Sequence, residues 1–168
     1  MTVRVVLVGL PGVGKTSVGA ALATELDVAF VDLDDEVQDL CGAGPATILR
    51  QRGEGAFRLL ETEALARALA RVPACVLATG GGTVESERAR ALLAAEPLVV
   101  QLVAPPAALL ERLGGVDRPL LEAPTVKGLD ALAARRGALY DEVADATIDA
   151  SGTVAEVVDA VASLVVRT

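Results

Sequence analysis

Gly9-Leu10-Pro11-Gly12-Val13-Gly14-Lys15-Thr16 is the stretch that decides the fold of this chain. An apolar run, Val3 to Val8, precedes it, and a helix-like segment, Ser17 to Leu26, follows. Strand, glycine loop and helix in that order are the context in which G-x-x-x-x-G-K-[ST] marks a phosphate site rather than a plain glycine turn. Glycines let the backbone bend until successive N–H groups point inward around an anion. The next helix adds the positive end of its dipole. Lys15 has the reach for β- and γ-phosphates, and the Thr16 hydroxyl is a ligand for Mg²⁺.

Outward from the loop, apolar runs alternate with helix-period segments. Val3–Val8, Ala29–Leu33, Cys75–Ala78, Leu98–Val103 and Ala146–Asp149 read as strands. Several are apolar on successive residues, as a parallel sheet covered on both faces requires. Ser17–Leu26, Asp35–Cys41, Glu54–Arg71, Glu85–Ala95, Pro106–Leu113, Lys127–Val143 and Thr153–Val166 read as helices, with Ser86 and Thr153 as helix starts. The alternation predicts an α/β layered fold with right-handed crossovers. The 168 residues form one domain, 1–168. Gly114 to Pro124 fits neither period. It holds two glycines, two prolines and Arg118 between two helices, the composition of a lid or of an ordinary surface connection.

Bulk composition narrows the chemistry. Hydrophobic residues make up 52%, enough for a core, while aromatics are 2%, so Ala, Val and Leu must build it. The net charge is -8 with no basic run, which argues against a duplex nucleic-acid binder. There is no histidine, and Cys41 and Cys75 lie far apart. A Cys/His zinc site and Ser-His-Asp hydrolysis are therefore excluded, and reduced thiols are expected. No apolar run reaches the roughly 18–20 residues of a membrane span. No signal-peptide pattern opens the chain, so a cytoplasmic protein is expected.

A second constellation lies beyond the loop. Asp32 and Asp34 end the second strand, where ligands of open parallel sheets bind, and at a strand end they would share one side. A helix N-cap followed by a first-turn acid is the competing reading. Arg58 and Glu61 are helix neighbours, either a site pair or a surface pair. Gly80-Gly81-Gly82 ends the third strand, suggesting a ligand lying against backbone or a flexible turn. Arg135 and Arg136 precede Tyr140 on a late helix; being adjacent, they cannot face the same way, so one should face solvent.

Taken together these motifs resemble the shikimate kinase family over nearly the whole chain. The resemblance rests on the P-loop, the D-x-D of Asp32 and Asp34, and G-E-x-x-F-R-x-x-E from Gly53 to Glu61. It continues through the triple glycine, R-P-L-L from Arg118 to Leu121, and R-x-x-x-Y from Arg136 to Tyr140. It implies a three-layer P-loop kinase fold: a five-stranded parallel sheet flanked by helices, a mobile lid at about 114–124 and a substrate-binding region at about 32–61. The implied reaction is phosphorylation of the 3-hydroxyl of shikimate by MgATP, giving shikimate 3-phosphate and ADP, a step in aromatic amino acid biosynthesis.

The same resemblance implies the site. Gly12, Val13, Gly14, Lys15, Thr16 and Ser17 would hold ATP, with Arg112 beside the adenine. Thr16, and Asp32 through water, would hold Mg²⁺. Asp34, Glu61, Gly80, Gly81 and Gly82 would surround shikimate, with Arg58 and Arg136 on its carboxylate and Glu61 holding Arg58 in place. Lys15, Asp34 and Arg118 would be catalytic, Asp34 accepting the hydroxyl proton and Arg118 meeting the transferring group. ATP and shikimate would be the partners, with no nucleic acid or membrane, and the protein would be a monomer.

The chain departs from the family at Leu49, where an aromatic is common, and at Gly44-Pro45, where a serine usually opens a short helix. The lid lacks one residue next to Gly115 relative to some members, and a late basic residue near Ser151 and Gly152 is missing. A gluconate kinase, a nucleotide kinase, and a nucleotide-binding module without catalysis are the competing expectations. A base pocket would have only Phe30, Phe57 and Tyr140 to draw on.

Overall fold

In a computed structural model, the chain is described over residues 3–114 and 125–165. Five strands, β1 (Arg4–Val8), β2 (Ala29–Asp32), β3 (Cys75–Ala78), β4 (Val99–Val103) and β5 (Ala146–Asp149), form one parallel sheet in the order β2-β3-β1-β4-β5. The central strand pairs Arg4 with Cys75 on one side and Val6 with Val99 on the other. Among the described residues seven helices surround it: α1 (Lys15–Glu25), α2 (Leu33–Cys41), α3 (Pro45–Arg71), α4 (Glu87–Leu93), α5 (Pro106–Leu113), α6 (Val126–Val143) and α7 (Val154–Val165).

The unbroken apolar run of β1 has a simple cause. Side chains alternate across a strand, and both faces here are covered. Val6 and Val8 join a core with Val37 of α2, Phe57 and Leu65 of α3, Leu93 of α4 and Tyr140 of α6. Val5 and Leu7 join another with Val18 and Leu22 of α1, Leu109 of α5 and Val161 of α7. The α6 helix serves both, placing Leu129 in one core and Val143 in the other. Aliphatic side chains fill both layers, as the scarcity of aromatics requires.

Strand positions match expectation to within a residue; several helix ends do not. The first helix starts at Lys15, two residues early, because Gly14 takes a left-handed conformation (φ 104°) as its N-cap. The third starts at Pro45 rather than Glu54, with Pro at its first turn. It breaks at Gly53 (φ 79°, ψ 172°), which no β-carbon-bearing residue adopts comfortably. The predicted helix at Glu85 is instead a 3₁₀ turn, Thr83–Glu85, followed by α4, whose N-cap Ser86 accepts from the Ala89 N–H. Thr153 and Glu156 exchange hydrogen bonds in a capping box at the start of α7. Cys41 and Cys75 are free thiols. Among the described residues no helix is long and apolar enough to cross a membrane.

Candidate active site

The sequence positions with chemistry collect at the carboxyl ends of β1, β2 and β3, around the strand where the sheet order turns outward in both directions. Ligands of open α/β sheets bind at such a point. The loop Gly9–Gly14 leaves β1 pressed against β4, since a Cβ on Gly9 would stand 2.5 Å from the Leu102 carbonyl oxygen. Lys15, only 8% exposed, folds back over this loop and donates to the carbonyls of Gly9 (2.8 Å) and Leu10 (3.0 Å). Its ammonium and the N-terminus of α1 therefore put positive charge inside one concave backbone turn.

Asp32 closes β2 and caps α2, accepting from the Asp34 N–H at 3.0 Å through Oδ1. Through Oδ2 it accepts from the Thr16 hydroxyl at 2.8 Å. The expectation that Asp32 and Asp34 share one side of a strand is corrected: Leu33 already begins α2, so Asp34 is a first-turn helix residue. The cap brings it into the site all the same. Asp34 Oδ1 lies 3.7 Å from where a Cβ on Gly80 would stand.

A chain of charged groups runs beside the glycine turn. Glu61, 1% exposed, accepts from Thr83 Oγ1 and from Arg58 Nη1, both at 2.8 Å. Arg58 Nη2 reaches Glu54 and Glu85, each at 3.3 Å, and its guanidinium lies 5.2 Å from the Phe57 ring centroid. Burial works against the Arg58 charge, but Glu61, Glu85 and Glu54 outweigh it and its pKa is raised. The surface-pair reading of Arg58 and Glu61 is thereby excluded. Arg136, 3% exposed, donates from Nε to Glu85 at 2.9 Å and from Nη1 to the Gly81 carbonyl at 3.1 Å. Tyr140 donates its hydroxyl to the same carbonyl. Burial pushes the Tyr140 pKa up to about 12 against the pull of Arg136, so the phenol remains a donor.

The triple glycine is needed for close approach by protein side chains. A Cβ would stand 2.4 Å from Glu61 Oε1 at Gly80, 2.7 Å from Pro11 Cδ at Gly81, and on the Arg58 guanidinium at Gly82. The glycine turn thus touches the phosphate loop through Pro11 and the arginines through Gly81 and Gly82. This contact joins the two halves of the site.

Arg135 faces solvent, as adjacency to Arg136 requires, yet donates to the same Glu85 oxygen at 2.6 Å. Glu85 therefore receives three arginines. Burial would raise its pKa, but Arg136, Arg135 and Arg58 hold it down at about 2. Sequence reasoning missed Glu85 because it was read into a regular helix; the three-residue turn instead aims it at the arginines. Arg112 ties the Val13 carbonyl (3.2 Å) to that of Ala150 (2.9 Å), stapling the phosphate loop to the end of β5. Arg118, its R-P-L-L motif and residues 115–124 lie outside the described residues.

Known proteins resemble this chain in sequence and in fold. A family model for shikimate kinase matches residues 11–165. A shikimate kinase of Stenotrophomonas maltophilia strain K279a is 43% identical over 166 residues, covering 98% of this chain and 91% of that protein. One from Neisseria meningitidis serogroup C is 41% identical over 150 residues, 88% of each chain. The structure of the shikimate kinase from Acinetobacter baumannii in complex with shikimate superposes with a TM-score of 0.92. It is 35% identical and covers 99% of this chain and 94% of that one.

Proposed function

The chain belongs to the shikimate kinase family, and we propose that it transfers the γ-phosphoryl group of ATP to the 3-hydroxyl of shikimate through the residues described above. It is a kinase of the shikimate pathway, a step in aromatic amino acid biosynthesis. The observation that carries the assignment of roles is the glycine turn. One face packs on Pro11 of the phosphate loop, and the other bears Arg58 and Arg136. An acceptor gripped by the arginines is thereby held next to the phosphates.

Each role follows from chemistry. A planar guanidinium holds a carboxylate through two parallel N–H···O bonds, and two such groups orient the acid ring. Glu61 and Thr83 keep Arg58 in place for this contact. Asp34 takes the proton of the attacking hydroxyl. As the new O–P bond forms, the bond from the γ-phosphorus to the bridging oxygen breaks and ADP leaves. Gly12 to Ser17 bind the phosphates, and Lys15 neutralises charge on the transferring group. Arg118 is assigned the same task, and Arg112 the adenine edge.

Thr16 and Asp32, a hydroxyl and a carboxylate 2.8 Å apart at the loop, form the oxygen-donor set that suits a hard cation. They would hold Mg²⁺, Asp32 through water. When bound, Mg²⁺ supplies charge neutralisation at the phosphates. The expectations of a cytoplasmic monomer without nucleic-acid or membrane partners belong to the same proposal.

ADP release by purified protein with MgATP, with and without shikimate, tests the reading. Strong dependence on shikimate is expected. Turnover with gluconate and none with shikimate would overturn it.

A further inference from the structure

We infer that Glu85 is a built-in competitor for the substrate carboxylate, and so a determinant of acceptor affinity. The inference rests on the assignment of Arg58 and Arg136 to that carboxylate. Glu85 already does what the substrate group is expected to do: Oε1 accepts from Arg136 at 2.9 Å and Oε2 from Arg58 at 3.3 Å, so one carboxylate spans both guanidinia.

Charge balance points the same way. Arg58, Arg135 and Arg136 face Glu54, Glu61 and Glu85 in this cluster. Three cations against three anions leave it neutral, so an incoming anion meets no net attraction. Removing the Glu85 charge leaves Arg58, Arg135 and Arg136 against Glu54 and Glu61, one net positive charge matched to one carboxylate. Protonation does not remove the competitor, because the three arginines keep Glu85 ionised down to about pH 2.

The structure also offers Glu85 a place to go. Arg135, whose side chain is 63% exposed, holds it at 2.6 Å from the solvent side. Glu85 can keep that partner while yielding Arg58 and Arg136 to the ligand. The 3.3 Å bond to Arg58 is long for a charged pair and is the contact that yields first. Glu61, by contrast, is enclosed and bonded at 2.8 Å on both oxygens, so it positions Arg58 and does not compete.

The test is calorimetric binding of shikimate, and of its neutral carboxamide, to wild-type protein, Glu85→Gln and Glu85→Ala. Glutamine keeps an acceptor toward Arg136 while removing the charge. The expected result is a shikimate Kd lowered about five- to tenfold in Glu85→Gln, the scale of one partly exposed charged contact. The carboxamide Kd should move less than about twofold, since a neutral group does not contest the arginines. A shikimate Kd unchanged or raised in both variants overturns the inference, as does equal tightening toward both ligands, which would mark general loosening of the turn. Failure of the kinase reading is separately visible, because wild-type protein alone would then neither bind nor phosphorylate shikimate.

Discussion

Glu61 and Thr83 meet across a fully enclosed hydrogen bond of 2.8 Å, and the second oxygen of Glu61 holds Arg58 at the same distance. The bond joins α3 to the turn that follows β3, over a separation of 22 residues. It fixes the direction of the guanidinium from the α3 side. A buried carboxylate is tolerated only when its lone pairs are used in this way.

Replacing Glu61 by Ala should therefore do two separable things. It strips a buried hydroxyl of its acceptor and a guanidinium of its shortest anionic partner. Breaking one side of a buried pair costs about 3–5 kcal/mol, and Glu54 and Glu85 still face Arg58, so a loss of about 2–4 kcal/mol is expected. Urea unfolding measures it. A loss below about 1 kcal/mol would show that the contact is replaced by water at little cost.

Gly82→Ala makes the opposite pattern. The new Cβ would fall on the Arg58 guanidinium, while φ at this residue is one that alanine accepts. The obstructed group is the end of a flexible side chain, so Arg58 moves and the fold survives. KM for shikimate should rise at least about tenfold, with KM for ATP and the unfolding midpoint little changed. A large loss of stability with normal shikimate KM would place the cost in the backbone and not in the arginine.

Much of this could be read from the chain itself. The strands were legible because β1, β3 and β4 are covered on both faces and run apolar from Val5 to Val8, from Cys75 to Ala78, and from Val99 to Val103 with Gln101 alone interrupting. The phosphate loop was legible because its residue types follow directly from anion binding. Bulk periodicity could not show Gly53 breaking α3 or the three-residue turn at Thr83, since each is decided by one or two backbone angles. Glu85 was hidden for that reason. The distance from Glu61 to Thr83 was beyond any local pattern, because the sheet, not the sequence spacing, brings them together. The D-x-D was read as two residues of a strand end, when capping by Asp32 is what orients Asp34.

Lys15→Ala removes the ammonium that spans the loop carbonyls of Gly9 and Leu10. The bond to Gly9 is buried and that to Leu10 partly so, and leaving such acceptors unmet costs about 1–3 kcal/mol, so the fold should persist with a loss of that size. On the role proposed for Lys15, its positive charge acts on the phosphoryl group as it transfers, so the rate should fall far more: a drop in kcat of about 10³-fold or greater is expected. ADP release under saturating ATP and shikimate reads it. Near-normal kcat would remove Lys15 from the phosphate site.

Acid stability reports on the arginine cluster without any ligand. Glu85 is held at about 2 when folded against its ordinary value of 4.5, because Arg136, Arg135 and Arg58 overcome the effect of burial. A depressed carboxylate contributes stability that is complete above the unfolded value and disappears as pH falls through the folded one. Wild-type protein should therefore exceed Glu85→Gln in stability by a constant margin above about pH 5, and that margin should shrink on acidification toward pH 2. Denaturant midpoints of the two proteins across that range give the margin directly. A difference that stays level would mean that the guanidinium groups do not hold Glu85 ionised and that its place between Arg58 and Arg136 is one of packing alone.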